Sequence, residues 1–256
     1  MEKIAGLFAN THDTCVLSCL QQIMGRVYCP AGFYESAVAA LGDYLYLGGL
    51  PDEALLKEAM EDMPKGKVHL VVLSGKWEPL IERLYRGEFV RKTRYALSRE
   101  NTVFDADMLR RNCEKLPQTY ELVRIDRVLY EKCAQEEWSR NFVCNYDSFA
   151  RFEEYGLGYV IMQGRELIAG ASSFSGYRNG IEISIATKEA YRRQGLAKIC
   201  ASCLILACMD RGWYPNWDAA NEKSLGLARQ LGYHFAGEYF CYEINIPYLQ
   251  NSNADI

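Results

Sequence analysis

One segment of the chain combines residue types that could bind a phosphate group. It runs from Ile181 to Lys198 and reads IEISIATKEAYRRQGLAK. Its first half alternates like a strand, and Arg192 opens an R-x-x-G-x-A pattern that leads into an apolar-striped helix. The first N–H groups of a helix lack partners within the helix, and the helix dipole favours an anion beside them. Because Gly195 carries no side chain that would hold an anion away from the backbone, the segment predicts a phosphate or pyrophosphate site.

The helix after Gly195 is indicated by the spacing of its apolar residues, and Gly212 ends it. Those residues recur at i, i+3, i+4 and i+7: Leu196, Ile199, Cys200, Cys203, Leu204, Ala207 and Cys208. No G-x-G-x-x-G follows a strand and no Walker lysine motif occurs, so a dinucleotide or P-loop site is not favoured. Since an ordinary strand–helix corner can also carry R-x-x-G-x-A, this pattern alone is only moderately specific.

The segment that follows adds a second set of elements in a recognisable order. Tyr214 to Ala220 is a short run before Asn221, Glu222 to Leu231 predicts a helix, and Glu238 to Ile244 alternates like a strand. The order strand, R-x-x-G-x-A, helix, strand, N-x-x-S-x-x-L-A-x-x-L-G-Y, strand resembles the GNAT superfamily of acyl-CoA N-acyltransferases. The sequence YPNWDAANEKSLGLARQLGY is similar to the branch typified by zwittermicin A resistance acetyltransferases. This resemblance extends over about residues 120–246.

The resemblance implies a fold, a co-substrate and a set of contact residues. The fold is a mixed central sheet flanked by helices, and the co-substrate is acetyl-CoA. A strand end, Ile185, Ala186 and Thr187, would pair with the pantetheine arm. Asn221 would meet that arm from the following strand, and Ser224, one turn further along the same helix, is also a cofactor-binding candidate. The pyrophosphate would be held by the loop and first helical turn: Arg192, Arg193, Gln194, Gly195, Leu196, Ala197 and Lys198. Asn221 could instead be only a helix cap, which is a common role of asparagine.

The catalytic residues are less clearly indicated. Glu182 matches a strand carboxylate that is often proposed as the base, usually through a water, although it could be a polar residue on an exposed strand face. Ala228 stands where relatives with a clear general acid carry a tyrosine. The possible substitutes are Tyr233, Tyr239 and Tyr242, each of which could instead be core or surface. An acetyl thioester is already activated, so loss of a dedicated acid weakens the mechanism without abolishing it.

Composition limits the class of protein. The chain has 256 residues, 49% of them apolar and 24% charged, as in ordinary soluble proteins. A net charge of −4 argues against broad nucleic-acid binding. No run of 18 apolar residues occurs and the first residues lack a signal-peptide pattern, so we expect a cytoplasmic protein without membrane association.

Ten cysteines are scattered along the chain, and most lie within apolar runs. Cys200 and Cys203 have half the spacing of a zinc site, but both lie on the apolar stripe of one helix. No second C-x-x-C occurs, and the histidines are His12, His69 and His234. We therefore expect ten buried free thiols and no metal.

The N-terminal half predicts a small α/β layer. We expect an N-terminal domain of residues 1–116 and a GNAT domain of residues 117–256, with the boundary near Leu116-Pro117-Gln118. One hypothesis is that the N-terminal domain is a degenerate GNAT-like half. The predicted elements before the boundary are helices over Thr11–Met24, Pro51–Met63 and Trp77–Tyr85 and strands over Asp43–Gly49, Lys67–Leu73 and Phe89–Leu97. Those after it and before Ile181 are a strand over Tyr120–Ile125, helices over Asp126–Trp138 and Tyr146–Tyr155, and a hairpin of Tyr159–Met162 with Leu167–Ser175.

Two clusters of charged residues could have a function or could simply face solvent. In the resembled fold the early helices roof the acceptor pocket, where an acidic group, Glu136, Glu137, Glu153 and Glu154, could attract a polyamine-like or aminoglycoside-like acceptor. A solvated helix face is the favoured alternative. The basic run Arg91-Lys92-Thr93-Arg94 is typical of an edge strand protected by charge.

The sequence thus predicts an acetyl-CoA-dependent N-acetyltransferase that acts on a primary amine of a small molecule. One alternative is a non-catalytic CoA-binding sensor or partner-binding module on the same fold, which Ala228 makes conceivable. Another is a thiol- or metal-dependent protein. The oligomeric state stays open, with a homodimer as one option.

Overall fold

The structure, a computed structural model, describes residues 2–9, 13–32, 34–100 and 104–247. Their contacts form two compact units. Unit 1 contains the described residues within 2–9, 26–92 and 240–247, and unit 2 contains those within 13–25 and 93–239. The division differs from the expected segments 1–116 and 117–256, because residues 13–25 and 93–116 group with the later part of the chain and residues 240–247 group with the earlier part.

Helices alternate with strands along most of the chain. In chain order the helices are α1 (Glu2–Gly6), α2 (Thr14–Leu20), α3 (Glu53–Glu61), α4 (Glu78–Leu84), α5 (Ala106–Cys113), α6 (Arg127–Gln135), α7 (Phe149–Tyr155), α8 (Leu196–Asp210) and α9 (Glu222–Gln230). Short 3-10 turns occur at Gly75–Trp77, Arg140–Phe142 and Glu189–Tyr191. The strands are β1 (Arg26–Tyr28), β2 (Ser36–Leu41), β3 (Tyr44–Gly49), β4 (Gly66–Val72), β5 (Phe89–Leu97), β6 (Glu121–Arg124), β7 (Gly158–Gln163), β8 (Glu166–Tyr177), β9 (Gly180–Thr187), β10 (Tyr214–Asn216) and β11 (Phe235–Ile246).

Unit 1 is built on the sheet of order β1-β2-β3-β4-β11-β5. Strands β2 and β3 form an antiparallel pair, while β3 and β4 are parallel and are joined through α3. Helix α3 begins because the Asp52 carboxylate accepts the Leu55 N–H. Its buried face, Leu55, Leu56 and Ala59, packs into a core with Leu45, Leu70 and Trp77.

Unit 2 is built on the sheet of order β10-β9-β8-β7-β6. Strands β7, β8 and β9 are antiparallel neighbours, and β9 and β10 are parallel. Helix α8 joins those two parallel strands and packs on the sheet through a largely buried surface, with Leu204, Ile205 and Cys208 fully buried. The predicted fold class, a mixed α/β sheet structure flanked by helices, is confirmed.

The chain passes between the units along β5 and β11. The first part of β5 belongs to unit 1, whereas its Tyr95 forms a bridge with Ala219 in unit 2. The last part of β11, Cys241–Ile246, pairs antiparallel with β4 in unit 1. The order hairpin, helix, parallel strand, helix, strand occurs twice, in β2 to β5 and in β8 to β11. A degenerate duplicate stays a hypothesis.

Most predicted elements are confirmed to within a few residues. Strand β5, the hairpin of β7 and β8, and the start of α6 at its Asp126 cap follow the prediction. Asp13 caps α2, whereas the predicted start at Thr11 lies outside the described residues. Strands β1 and β2 and helix α5 have no counterpart in the predicted elements. In the part of the chain that the structure describes, no helix is long and apolar enough to cross a membrane.

The expectation of ten buried free thiols is wrong. Cys113 of α5 and Cys203 of α8 form a disulfide, because α5 packs beside α8 and brings together two residues that are 90 positions apart. Of the free cysteines, Cys29 is half-buried and Cys144 is exposed. The other six are buried: Cys15, Cys19, Cys133, Cys200, Cys208 and Cys241.

Candidate active site

Strands β9 and β10 separate soon after they begin. They pair in parallel only from Gly180 to Glu182, opposite Tyr214 to Asn216. Beyond Glu182, β9 continues to Thr187 beside β8 alone, within the residues described. Half of the backbone groups of this stretch therefore face away from β8, toward the side that β10 has left. Backbone groups at such an edge are free to pair with an extended ligand.

The loop after β9 brings an uncapped helix end to the surface. Gly195 is the N-cap residue of α8, with φ 79°, and no described side chain caps the helix there. A Cβ at this position would meet no atom within 4 Å. Leu196 is buried and anchors the first turn, whereas residues 192–195 are exposed. The predicted corner is therefore open to solvent with its backbone donors unused by a cap.

Two features of this corner suit an anion. Arg193 has φ 63°, a left-handed conformation that costs a non-glycine residue on the order of 1 kcal/mol; residues with such strain cluster at functional sites. Arg192 is also exposed, and its Nε donates to the Thr187 carbonyl at 3.3 Å, which closes the loop. Lys198 Nζ lies 3.2 Å from Gln230 Oε1 of α9. Three cationic side chains thus belong to one turn of chain around the helix start.

The end of β9 contains a buried hydroxyl without a partner. Ile185, Ala186 and Thr187 are half-buried, and Thr187 Oγ1 has no hydrogen-bond partner among the described residues. A buried hydroxyl usually has a partner, so this atom suggests that a ligand completes its bonding. Together with the open space at Gly195, it indicates that the residues predicted to hold a pantetheine arm and a diphosphate fit that group.

The equivalent corner of unit 1 does not suit an anion. The start of α3 is capped by the Asp52 carboxylate, at 3.0 Å from the Leu55 nitrogen, and Glu53 occupies its first turn. Two carboxylates at the positive end of a helix use its free donors and repel a phosphate. Among the residues described, the diphosphate site is thus supported only in unit 2.

Asn221 and Ser224 are placed mainly as structural residues. Asn221 is the N-cap of α9, and its Oδ1 accepts the Ser224 N–H at 3.0 Å. The Ser224 hydroxyl accepts the Trp217 indole N–H at 3.1 Å. A cavity of about 460 Å³ opens beside Asn221, lined also by Thr93, Tyr95, Ala220, Glu222 and Lys223. The cap therefore accounts for Asn221 without a cofactor.

Substitution of Asn221 tests these two roles. We expect Asn221→Ala to lower the free energy of unfolding by about 1 kcal/mol, and Asn221→Asp to retain the cap. If only the cap matters, acetyl-CoA affinity measured by calorimetry changes less than twofold in both variants. A tenfold loss of affinity in Asn221→Asp, with stability retained, would instead assign the amide to the cofactor.

Glu182 lies where β9 and β10 separate and is 8% exposed. Its carboxylate accepts the Thr14 hydroxyl, the Asn216 amide at 2.6 Å and the Asp218 backbone N–H at 2.9 Å. Burial, and next the nearby Asp218 carboxylate, raise the pKa of Glu182 to about 7, while the three donors oppose the rise. Glu182 is thus a desolvated carboxylate, fixed by three hydrogen bonds, that can take up a proton near neutral pH. It does not lie on a solvated strand face.

Asp218 joins Tyr239 and Arg94 to this group. Its Oδ1 pairs with Arg94 Nε at 3.1 Å, and its Oδ2 accepts the Tyr239 hydroxyl. Burial raises the pKa of Asp218, and the Arg94 charge opposes this. Burial and then the Asp218 charge hold the pKa of Tyr239 well above its usual value, so that hydroxyl is a weak acid. The structure brings Tyr239 and Glu182 together through one intervening residue.

Tyr233 is placed in the core. It is 2% exposed, packs edge-to-face against Trp217, and donates its hydroxyl to the Pro215 carbonyl at 2.5 Å. Burial holds its pKa well above the usual tyrosine value. This position favours a packing role over the predicted acid role. Tyr242 lies in unit 1, where it contacts Arg91, and Ala228 is fully buried.

A packing role for Tyr233 has a measurable signature. We expect Tyr233→Phe to lower the free energy of unfolding by about 1–3 kcal/mol, because the buried Pro215 carbonyl loses its donor. The kcat of acetyl transfer should stay within about threefold of the wild type, measured by thiol release at saturating substrates. A loss of 100-fold or more, in a variant that still binds acetyl-CoA, would restore Tyr233 as the acid.

The acidic residues considered as an acceptor pocket are largely neutralised or solvated. Glu136 pairs with Lys188 at 3.1 Å and accepts the Trp138 indole N–H at 2.7 Å. Glu154 pairs with Arg151 on the same helix. Glu137 and Glu153 are both exposed. This pattern favours the alternative of solvated helix faces.

Four residues of the site were absent from the predicted set: Thr14, Arg94, Asn216 and Asp218. Asn216 and Asp218 lie in the short run that precedes Asn221, and Asn216 ends β10, so their place at the end of a strand was a usable signal. Thr14 and Arg94 precede Asp218 by more than 100 residues, and no local pattern joins them to it.

The thiol and metal alternative has little support. Among the described residues, which omit His12, no group of three or more His, Cys, Asp or Glu could hold a metal ion. The nearest arrangement to a thiol centre is in unit 1, where Cys241 Sγ lies 3.9 Å from His69 Nδ1 and His69 Nε2 lies 3.7 Å from Asp43. Cys241 is fully buried, so a substrate cannot reach its sulfur.

Solved structures of other proteins are similar to this chain. A GCN5-related N-acetyltransferase-like protein from Streptococcus suis 89/1591 is 40% identical, and the match covers 95% of this chain and 99% of that chain with a TM-score of 0.90. A GCN5-related N-acetyltransferase from Kribbella flavida has the same fold at 13% identity, over 91% of this chain and 93% of that one, with a TM-score of 0.56.

Sequence comparison also finds N-acetyltransferases. The uncharacterized N-acetyltransferase YdfB of Bacillus subtilis (strain 168) is 27% identical over 177 residues, which are 66% of this chain and 63% of that protein. The chain thus matches somewhat less than two thirds of this relative. The sequence profile of the GNAT acetyltransferase family matches residues 5–242. The chain belongs to the GNAT acetyltransferase family.

Proposed function

We propose that the protein transfers an acetyl group from acetyl-CoA to a primary amine of a small molecule. One observation carries the proposal: three features follow one another along β9 and the loop after it. They are the buried Glu182 where β9 and β10 separate, the free edge of β9, and the uncapped start of α8. The resemblance to zwittermicin A resistance acetyltransferases, over YPNWDAANEKSLGLARQLGY, supports a small-molecule acceptor.

The diphosphate of the co-substrate would lie at the start of α8. Its charge is complementary to the helix dipole and to Arg192, Arg193 and Lys198, and Gly195 leaves room for it against the backbone. The pantetheine arm would follow the free edge of β9, where Thr187 Oγ1 needs a partner. Backbone pairing along a strand fixes the arm in one direction and so positions the reacting end near Glu182.

The protein's own contribution to the chemistry is positioning and proton transfer. A bound acetyl thioester supplies an activated acyl group, so no covalent nucleophile is needed from the chain. Glu182, with a pKa of about 7, accepts the proton that the attacking amine loses, directly or through a water. Below that pH it is increasingly protonated, so the rate should fall as the pH drops. The thiolate product is stable enough to leave without a strong acid.

A second candidate is a CoA-binding protein without catalysis. It is favoured by one observation, since the hydroxyls of Tyr233 and Tyr239 already donate to acceptors within the protein and Ala228 replaces the usual tyrosine. Such a protein would bind acetyl-CoA through the same corner and release no CoA when amines are added.

Calorimetry and a screen of amine acceptors with thiol detection test both candidates. We expect acetyl-CoA to bind with one molecule per chain and at least one amine to give thiol release and an N-acetyl product seen by mass spectrometry. Binding without turnover across the screen would favour the sensor. Absence of binding would contradict both.

A further inference from the structure

A helix from the beginning of the chain forms part of unit 2. Helix α2 is held against β8 and the turn after it by polar contacts: Ser18 Oγ donates to the Gly176 carbonyl at 2.6 Å, and Gln21 Oε1 accepts the Arg178 N–H at 2.8 Å. Cys15 Sγ also lies 3.4 Å from Ser175 Oγ. These contacts fix the helix beside the end of the sheet at which β9 begins.

The first residue of α2 reaches the carboxylate of Glu182. Thr14 is fully buried, and its hydroxyl donates to Glu182 Oε2, the same oxygen that accepts the Asn216 amide. The other oxygen, Oε1, accepts the Asp218 N–H. Asp13, directly before Thr14, caps α2 by accepting the Cys15 N–H at 2.9 Å and so sets where the helix begins. The Asp13 cap thus sets the position of the Thr14 hydroxyl directly, while the Ser18 and Gln21 contacts hold the later part of the helix.

We propose that Thr14 is a positioning residue for Glu182, holding its carboxylate in the orientation and charge state in which it accepts the proton of the acceptor amine. This inference rests on the proposed function. It adds a role that local sequence patterns around the acetyl-CoA corner do not indicate, since Thr14 lies 168 residues before its partner.

The direction of the effect follows from the groups around Glu182. Burial favours the neutral carboxyl, and so does the charge of Asp218, whereas a hydroxyl donor favours the carboxylate. Among the described residues, the phenols of Tyr177 on β8, Tyr214 on β10 and Tyr233 after α9 also lie close to Glu182 and stay neutral near pH 7. Two charged residues border this set: Asp13, which directly precedes Thr14, and Arg94, which pairs with Asp218. Removal of the Thr14 hydroxyl therefore raises the pKa of Glu182, because only the Asn216 and Asp218 donors are left to oppose burial.

Three variants test the inference. Thr14→Val removes the hydroxyl at nearly constant volume, and Thr14→Ser keeps it. Ser18→Ala is the matched control, because it removes a hydrogen bond that docks α2 without touching Glu182. The pKa of Glu182 is measured by carbon-13 NMR of the labelled carboxyl group, assigned through Glu182→Gln. The same proteins give kcat/KM for acetyl transfer between pH 5.5 and 9.5.

We expect Thr14→Val to raise the pKa of Glu182 by about one unit, since a hydrogen bond to a charged group is worth about that much. The acid limb of kcat/KM should move by the same amount, which makes the variant about tenfold slower below pH 6.5 and nearly equal to the wild type above pH 9. Thr14→Ser and Ser18→Ala should leave both quantities within about 0.3 units.

Two results would overturn the inference. An unchanged Glu182 pKa in Thr14→Val would show that the hydroxyl does not control the carboxylate, whatever happens to the rate. A pKa that rises while the acid limb stays in place would show that Glu182 is not the proton acceptor. Failure of the proposed function is distinct, because the wild type itself would then release no thiol with any amine while the NMR titration could still be recorded.

Discussion

Gly195→Glu is expected to weaken acetyl-CoA binding by at least 100-fold in calorimetry. The new side chain would start in the open space above the first turn of α8, where the diphosphate is proposed to lie, and would add a negative charge at the positive end of the helix. The backbone at this position has φ 79°, so any side chain also adds strain. Three effects, namely bulk, charge and strain, thus act against the same ligand.

A control variant separates the effect of backbone strain on acetyl-CoA affinity from the effect of blocking the diphosphate site. Gly87, in the turn between α4 and β5 of unit 1, has φ 81° and likewise no atom within 4 Å of a Cβ. Gly87→Glu therefore introduces the same residue into the same backbone conformation at an equally open position. We expect it to cost a similar amount of stability and to leave acetyl-CoA affinity within twofold. Unchanged affinity in Gly195→Glu would place the diphosphate elsewhere and contradict the proposed function.

Glu182→Gln is expected to lower kcat for acetyl transfer by about 10²–10⁴-fold, the usual contribution of a general base, with acetyl-CoA affinity nearly unchanged. Gln keeps the size of the side chain but cannot take up the amine's proton. Glu243→Gln is a suitable control, since Glu243 is another strand carboxylate with only 16% of its side chain exposed, paired with Lys67 in unit 1. Full activity of Glu182→Gln would mean that Glu182 is only structural.

The same substitution should change how stability depends on pH. The folded-state pKa of Glu182, about 7, lies above its ordinary value of 4.5, so the folded protein binds the extra proton between these values. The stability that this group contributes is complete below about pH 4.5 and is lost as the pH rises through 7. We expect the difference in unfolding free energy between Glu182→Gln and the wild type to shift by about 3 kcal/mol in favour of the variant from pH 4.5 to 8. Denaturant unfolding at several pH values measures this shift.

The acetyl-CoA corner could be predicted because its signals are local. The apolar spacing of α8, the glycine before it and the arginines beside it are all within one short segment, and the structure places them as one exposed turn. Asn221 shows the limit of such signals. Its position before a helix predicts a cap and the family resemblance predicts a cofactor contact, and the geometry supports the cap.

The surroundings of Glu182 could not be predicted for a different reason. Its donors come from α2, from β10 and from the loop after it, and pairing between such distant segments leaves no periodic trace in the sequence. Strand β2 was missed because all six of its residues are buried, so SAVAAL shows no alternation of polar and apolar positions. Sequence spacing likewise gives no pairing for Cys113 and Cys203. A pattern of apolar residues also cannot predict which acceptor the Tyr233 hydroxyl contacts.

The order of segments in the chain has a consequence for biosynthesis. Helix α2 leaves the ribosome well before Glu182 and β8, and β5 well before Ala219. Native contacts that join segments so far apart close large loops, which slows folding and leaves apolar surface uncovered in the meantime. Folding of unit 2 can therefore finish only late in translation. A fragment that starts at residue 117 would lack α2, which packs on β8, and the segment of β5 that pairs with Ala219.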